Sequence, residues 1–312
     1  MKQFRNIHDI TDVKQLVVNG LSIAQSGKKS EIGKGKTLGL VFLNSSLRTK
    51  MSSQKAAQNL GMQCLLVEAT SGWPLEFEDG VVMNIDRPEH IKEASAVLSQ
   101  YCDILGLRAF PSLTDRDKDY SDFVFNQFEK YATVPVVSFE SAIYHPLQGL
   151  ADMITIEQHK KKARPKVVLS WAPHIKALPQ AVSNSFVNWS SAMDYDVVIT
   201  NPEGYDLNPS IRKDIPVIHD QAEAFKNADF VYVKNWSSYE QYGQVLIQDP
   251  SWMITGDRMD LTNDAKVMHC LPVRRNVVIA DEVMDSPNAL MIPQAGNREF
   301  SCQAVLEAML KG

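Results

Sequence analysis

Short apolar runs alternate with helical patterns along most of this chain, and that alternation constrains the fold more than any other feature. Runs that read as strands cover residues 37–43, 63–68, 103–107, 134–139, 166–170, 196–200, 229–234, 266–270 and 289–292. Between them the apolar spacing predicts helices over 46–60, 88–100, 122–131, 147–161 and 178–191. Neighbouring parallel strands need a long crossover, and a helix supplies it, so this order predicts parallel sheets and an α/β class. At 312 residues the chain is too long for one ordinary core. Two domains are expected, each a parallel sheet flanked by helices. The basic stretch "KKKARP" closes a long helical pattern, which sets the division near residue 145. Residues 1–145 form the expected first domain and 146–298 the second, with a helix at 299–312 packing back on the first.

Composition narrows the function classes. The formal net charge of −5 argues against a nucleic-acid partner, because a phosphate backbone demands a basic surface. The opening "MKQFRNIHDITDVKQLVV" lacks the apolar core of a signal peptide, and no apolar run reaches membrane-spanning length. Cys64, Cys102, Cys270 and Cys302 are widely spaced and include no C-x-x-C pair. Neither a zinc site nor a disulfide framework is expected; reduced thiols and a cytoplasmic location are. His269 and Cys270 are adjacent, so in a strand they face opposite ways and make a poor metal pair.

Candidate chemistry gathers after predicted strands, where parallel sheets collect their ligands. In "LGLVFLNSSLRTK" an apolar run ends in Ser45, Ser46, Arg48 and Thr49. A serine that caps the following helix would put free backbone N–H groups and hydroxyls at one point, an anion site. The helix dipole contributes only about 0.3–2 kcal/mol, so Arg48 would have to add a direct phosphate contact. A capped helix beside a solvated arginine explains the same stretch. The glycine-rich loops G-x-x-x-x-G-K and G-x-G-x-x-G are absent, against an ATPase or a dehydrogenase. Three further strand ends carry "GLRAF", with Arg108; "FESAIYHPLQGLADMITI", with Glu140, His145 and Gln148; and "MHCLPVRRN", with Cys270, Leu271 and Arg274. Each alone is an ordinary surface or turn residue. Together they describe one site for a small anion that carries a carbonyl.

The motifs "SSLRT", "HPLQGLADMITI" and "HCLPVRRN" resemble the three signatures of the carbamoyltransferases, in the right order over nearly the whole chain. The resemblance implies a carbamoyl phosphate domain at 1–145 and an acylornithine domain at 146–298. It implies that backbone N–H groups and side chains of Ser46, Leu47, Arg48 and Thr49 hold the phosphate. Arg108, His145 and Thr49 would meet the carbamoyl oxygen and stabilise the charge it gains. Gln148 and the carbonyls of Cys270 and Leu271 would accept from the carbamoyl NH₂, with Arg298 a further contact. Cys270 is a candidate proton acceptor, as is the departing phosphate. Trp73, in "TSGWPLEFEDG", would serve the site of a neighbouring subunit, since the family implies a homotrimer with shared sites. No metal, nucleotide or organic cofactor is implied.

The acceptor reading rests on departures from the ornithine enzymes. Leu47 replaces a threonine, and no S-M-G loop is present to hold an α-amino group. The chain resembles the branch that carbamoylates Nα-acylated ornithine, where Glu140, His174, Lys234 and Arg274 would contact the acceptor. The N-acetyl enzymes of that branch carry a glutamate where this chain has Pro88, and a lysine where it has Val278. Pro88 removes a charge that would repel a second carboxylate, so the expected acyl group is succinyl. Pro88 also suits the first turn of a helix.

Overall fold

The computed structural model describes residues 1–69, 73–84 and 86–312. It divides into two compact units: residues 1–112, 117–147 and 298–312, and residues 113–116 and 148–297. The helices Pro146–His159 and Met291–Lys311 carry the chain from the first unit to the second and back.

The first unit is built on a parallel sheet of β1 (Gln3–Phe4), β2 (Thr37–Phe42), β3 (Gln63–Glu68), β6 (Ile104–Arg108) and β7 (Val136–Glu140). A separate parallel pair joins β4 (Leu75–Glu76) to β5 (Glu89–His90). The order in the sheet is β1-β7-β6-β2-β3. Continuous apolar runs in β2 and β6 are buried on both faces, as central parallel strands require. Gly106 lets β6 accept the Phe139 ring, which a Cβ would meet at 2.1 Å. Val41, Leu105, Leu107, Phe125 and Phe128 form the core below the sheet. The C-terminal helix docks on this unit through Asn59, which donates to Glu299 (2.7 Å) and Gln303 (3.0 Å).

In the second unit β8 (Lys166–Ala172), β9 (Asp196–Thr200), β10 (Val217–Ile218), β11 (Phe230–Asn235) and β12 (Lys266–Met268) form another parallel sheet, ordered β10-β9-β8-β11-β12. Val168, Val198, Phe225, Val231, Val267 and Val278 share its core. In both sheets the strand order reverses beside the first long strand, between β2 and β6 and between β8 and β11. A crevice at the carboxyl ends opens at each such switch point.

Three expectations need correction. Residues 289–292 are not a strand: Ala289 makes one isolated bridge to Val267, and helix Met291–Lys311 has already begun. Pro293 falls in its first turn, where a missing N–H costs nothing. The helix expected from residue 88 starts at Ile91, capped by His90, because residues 89 and 90 pair with β4. Pro88 therefore precedes a strand and is not a first-turn proline. The short β1 and the helix Val13–Ser26 were not part of the predicted alternation.

Candidate active site

The stretch after β2 folds as a capped helix start. Ser46 is the N-cap of helix Leu47–Asn59, with extended backbone, and its hydroxyl oxygen accepts from the Thr49 N–H at 3.3 Å. The same hydroxyl donates to Thr49 Oγ1 at 2.9 Å. The remaining N–H groups of that turn point out of the carboxyl end of the sheet.

Arg108 ends β6 beside it. The register slips between Leu107 and Arg108, so Arg108 pairs with Glu140 of β7. A bulge of this kind re-aims a side chain. Here Arg108 Nη2 donates to Glu140 Oε2 at 2.9 Å, and both residues are buried. Arg108 Nη1 donates to the carbonyls of Asn44 (3.0 Å) and Ser45 (2.8 Å), and Phe110 lies under its guanidinium. Burial, the larger effect, lowers the Arg108 pKa, which Glu140 counters and Arg48 adds to. Arg48 is thus a near neighbour of Arg108.

His145 completes the group. Its Nε2 lies 3.5 Å from Glu140 Oε2 and 3.4 Å from Arg298 Nη2. Arg298 Nη2 also donates to Thr49 Oγ1 at 2.7 Å. Ser46, Arg48, Thr49, Arg108, His145 and Arg298 are therefore brought together in the first unit around Glu140. Three guanidinium groups against one Glu140 leave positive charge suited to a phosphate dianion. The Trp73 indole N–H donates to Glu89, the residue after Pro88.

The second unit gathers a different set. His174 follows β8, and its Nε2 accepts from Arg274 Nε at 3.3 Å. Its Nδ1 faces the backbone of Lys176. Burial depresses its pKa, and the charges of Arg274, Lys234 and Lys176 act the same way. His174 is therefore a neutral imidazole among three cations at neutral pH, and the cluster suits a carboxylate ligand. Glu140 lies in the first unit, beside Arg108 and His145. Gln148 is buried in the second unit and donates its amide N–H to Asp152 at 2.8 Å. After β12, Leu271 N donates to His269 Nδ1 at 2.8 Å, and Leu271 has φ 58°. A left-handed leucine costs about 1–2 kcal/mol and persists where its surroundings fix it.

Residues 2–158 match the family "Aspartate/ornithine carbamoyltransferase, carbamoyl-P binding domain", and residues 179–309 match its "Asp/Orn binding domain". The chain belongs to the aspartate/ornithine carbamoyltransferase family. Within these carbamoyltransferases, the N-succinylornithine carbamoyltransferase of Bacteroides thetaiotaomicron is 49% identical over 316 residues, covering 100% of this chain and 99% of the relative. An N-acetylornithine carbamoyltransferase of Xylella fastidiosa is 35% identical over 314 residues, 93% of each chain. Among solved carbamoyltransferase structures, acetylornithine transcarbamylase complexed with acetylcitrulline matches with a TM-score of 0.94 at 34% identity, over 99% of each chain. A variant of N-acetyl-L-ornithine transcarbamylase with one glutamate replaced by proline, complexed with carbamyl phosphate and N-succinyl-L-norvaline, matches at 0.93 and 34%, over 99% and 100%.

Reading the motifs alone overlooked the partners behind them. Asp152 lies four residues after Gln148, a helical spacing that puts the two side by side, so a signal was present. Gln294, which also donates to Asp152 at 2.7 Å, carries no sequence signal.

Proposed function

We propose that this chain transfers the carbamoyl group of carbamoyl phosphate to the δ-amine of N2-succinyl-L-ornithine, giving N-succinyl-L-citrulline and phosphate, in arginine biosynthesis. The observation that carries the transfer reading is the group formed by Arg48, Thr49, Arg108, His145 and Arg298 at one helix start. In this reading Ser46, Leu47, Arg48 and Thr49 grip the phosphate. Arg108, His145 and Thr49 donate toward the carbamoyl oxygen, and these contacts strengthen as the tetrahedral intermediate forms. Gln148, with the carbonyls of Cys270 and Leu271, accepts from the carbamoyl NH₂. Lys234, His174 and Arg274 take the acceptor's carboxylates. The amine attacks in its neutral form, and its pKa near ~10.4 makes turnover rise with pH. Its proton leaves to the phosphate or to Cys270.

The succinyl acceptor is supported by identity: 48–49% to the two Bacteroides enzymes named for it, against 34–35% to N-acetylornithine enzymes and 29–30% to ornithine enzymes. Pro88 supports it too, since a glutamate-to-proline variant of an acetyl enzyme was complexed with a succinylated ligand. Val278 is fully buried among apolar side chains, a position that offers a lysine no partner. A homotrimer with shared sites belongs to the same proposal. Leu47, Met51, Leu65, Leu66, Trp73 and Val82 expose apolar area on the first unit that a second copy would cover. A cytoplasmic setting fits the four free thiols. The test measures ureido product with succinyl-, acetyl- and free ornithine. The largest kcat/KM is expected with the succinyl compound. A larger value with either other acceptor overturns the assignment.

A further inference from the structure

Behind Gln148 the second unit contains a fully buried carboxylate, Asp152, that the motif reading leaves without a role. It sits on the helix that carries Gln148, four residues on. Two amides donate to the same oxygen of Asp152: Gln148 Nε2 at 2.8 Å and Gln294 Nε2 at 2.7 Å. Tyr232 of β11, also fully buried, has its hydroxyl beside this carboxylate and stays protonated, chiefly through burial and next through the Asp152 charge. Gln294 in turn uses its Oε1 to accept from the His269 backbone N–H at 3.0 Å, and His269 accepts from Leu271 N. One carboxylate therefore fixes an amide on the helix and, through a second amide, the turn that follows β12.

The consequence for Gln148 is a choice of face. An amide can be flipped, exchanging its donor and acceptor ends. An ionised carboxylate only accepts, so it selects the orientation with the NH₂ toward Asp152. That leaves Gln148 Oε1 buried with no hydrogen-bond partner among the described residues. A buried unpaired acceptor costs free energy unless a ligand supplies the donor.

We infer that Asp152 is a positioning residue: with Gln294 it locks the Gln148 amide so that its oxygen presents an acceptor to an N–H₂ group of the ligand, and it anchors the His269–Leu271 turn through Gln294. The inference rests on the carbamoyl phosphate reading and adds to it a selection, exerted through Gln148, for an amino over a methyl group on the carbonyl carbon. Asp152 itself touches no substrate.

The experiment compares carbamoyl phosphate with acetyl phosphate, which carries a methyl group in place of the NH₂, on the full chain. Asp152→Leu removes the oxygen that accepts from both amides and keeps a similar volume, so nothing holds the Gln148 NH₂ away from the ligand and the amide can turn to offer its donors. Carbamoyl phosphate kcat/KM should fall by about tenfold or more, the usual scale for a mismatched buried hydrogen bond, while inhibition by acetyl phosphate changes less than about twofold. The swap Gln148→Glu with Asp152→Asn restores an acceptor on each side, and should regain most of the lost selectivity for carbamoyl over acetyl phosphate. A merely structural Asp152 predicts equal losses for both phosphates and no rescue, and either result overturns the inference. If Asp152→Leu does not fold, the swap alone decides: selectivity within a few-fold of wild type supports the lock, and its absence overturns it. A wild-type chain that neither binds nor turns over carbamoyl phosphate would remove the transfer reading itself, a result separate from any failure of the variants.

Discussion

Glu140 holds Arg108 in place, and removing it has a calculable cost. The pair meets at 2.9 Å with both side chains more than nine-tenths buried. At an effective dielectric near 20, unit charges at that separation attract by about 6 kcal/mol, much of which offsets the desolvation of the two ions. Deleting only one partner leaves the other buried and unbalanced, which typically costs about 3–5 kcal/mol. The structure points to the upper half of that range: without Glu140, Arg108 keeps hydrogen bonds to the neutral carbonyls of Asn44 and Ser45 and its contact with Phe110, with Arg48 close by. Glu140→Gln retains an oxygen acceptor and should lose roughly half as much. Because the chain has two units, the measurement is hydrogen exchange at the β6 and β7 amides in rising urea, which reports local opening. Added phosphate should stabilise Glu140→Ala more than wild type, since an anion at the helix start replaces part of the missing charge. A loss below about 1 kcal/mol in Glu140→Ala, or equal stabilisation by phosphate in both proteins, would refute the reasoning.

Asp122 gives a pH-dependent prediction. Burial raises its pKa from 3.8 to about 6, against hydrogen bonds from Ser141 and the Ala142 N–H that favour the carboxylate. The folded state therefore prefers the proton, so stability from this group is complete below pH ~3.8 and is lost as pH rises through about 6. The difference is worth about 3 kcal/mol. Asn tolerates the left-handed backbone at this position (φ 55°) and stays neutral. Asp122→Asn should match wild type near pH 4 in urea unfolding and exceed it near pH 8; a constant difference across that range rejects the account. For the proposed shared site, mixing Trp73→Ala chains with Arg108→Ala chains should recover some activity, because a hybrid assembly contains sites with both residues intact. Verified mixed oligomers without activity would exclude a Trp73 contribution across subunits.

Much of the fold was legible because strand and helix periodicities are local. The ranges 63–68 and 196–200 coincide with β3 and β9 to the residue. The apolar "ALMIP" misled because a short apolar run fits a strand or a buried helix start equally, and only Pro293 distinguished them. The two residues of β1 become a strand only by pairing with Val136 and Val137, a long-range event that local pattern does not encode. At the site, motifs identified the residue types that gather at Ser46 and His145. The Arg108–Glu140 pairing depends on a register slip between neighbouring strands, which no spacing within one strand reveals. Asp152 and Gln294 are 142 residues apart and meet only through the tertiary fold.

On the proposed succinyl reading, the contrasting settings of Pro88 and Val278 bear on how acceptor preference changes over evolutionary time. Pro88 stands exposed on a loop, where exchange is nearly free of any penalty to folding. Val278 is sealed among Ile254, Ile279 and their neighbours, so a lysine there would first have to open a passage for its ammonium. Drift between branches can begin at the loop, but a lineage that has packed valine into this position meets a barrier on the way back.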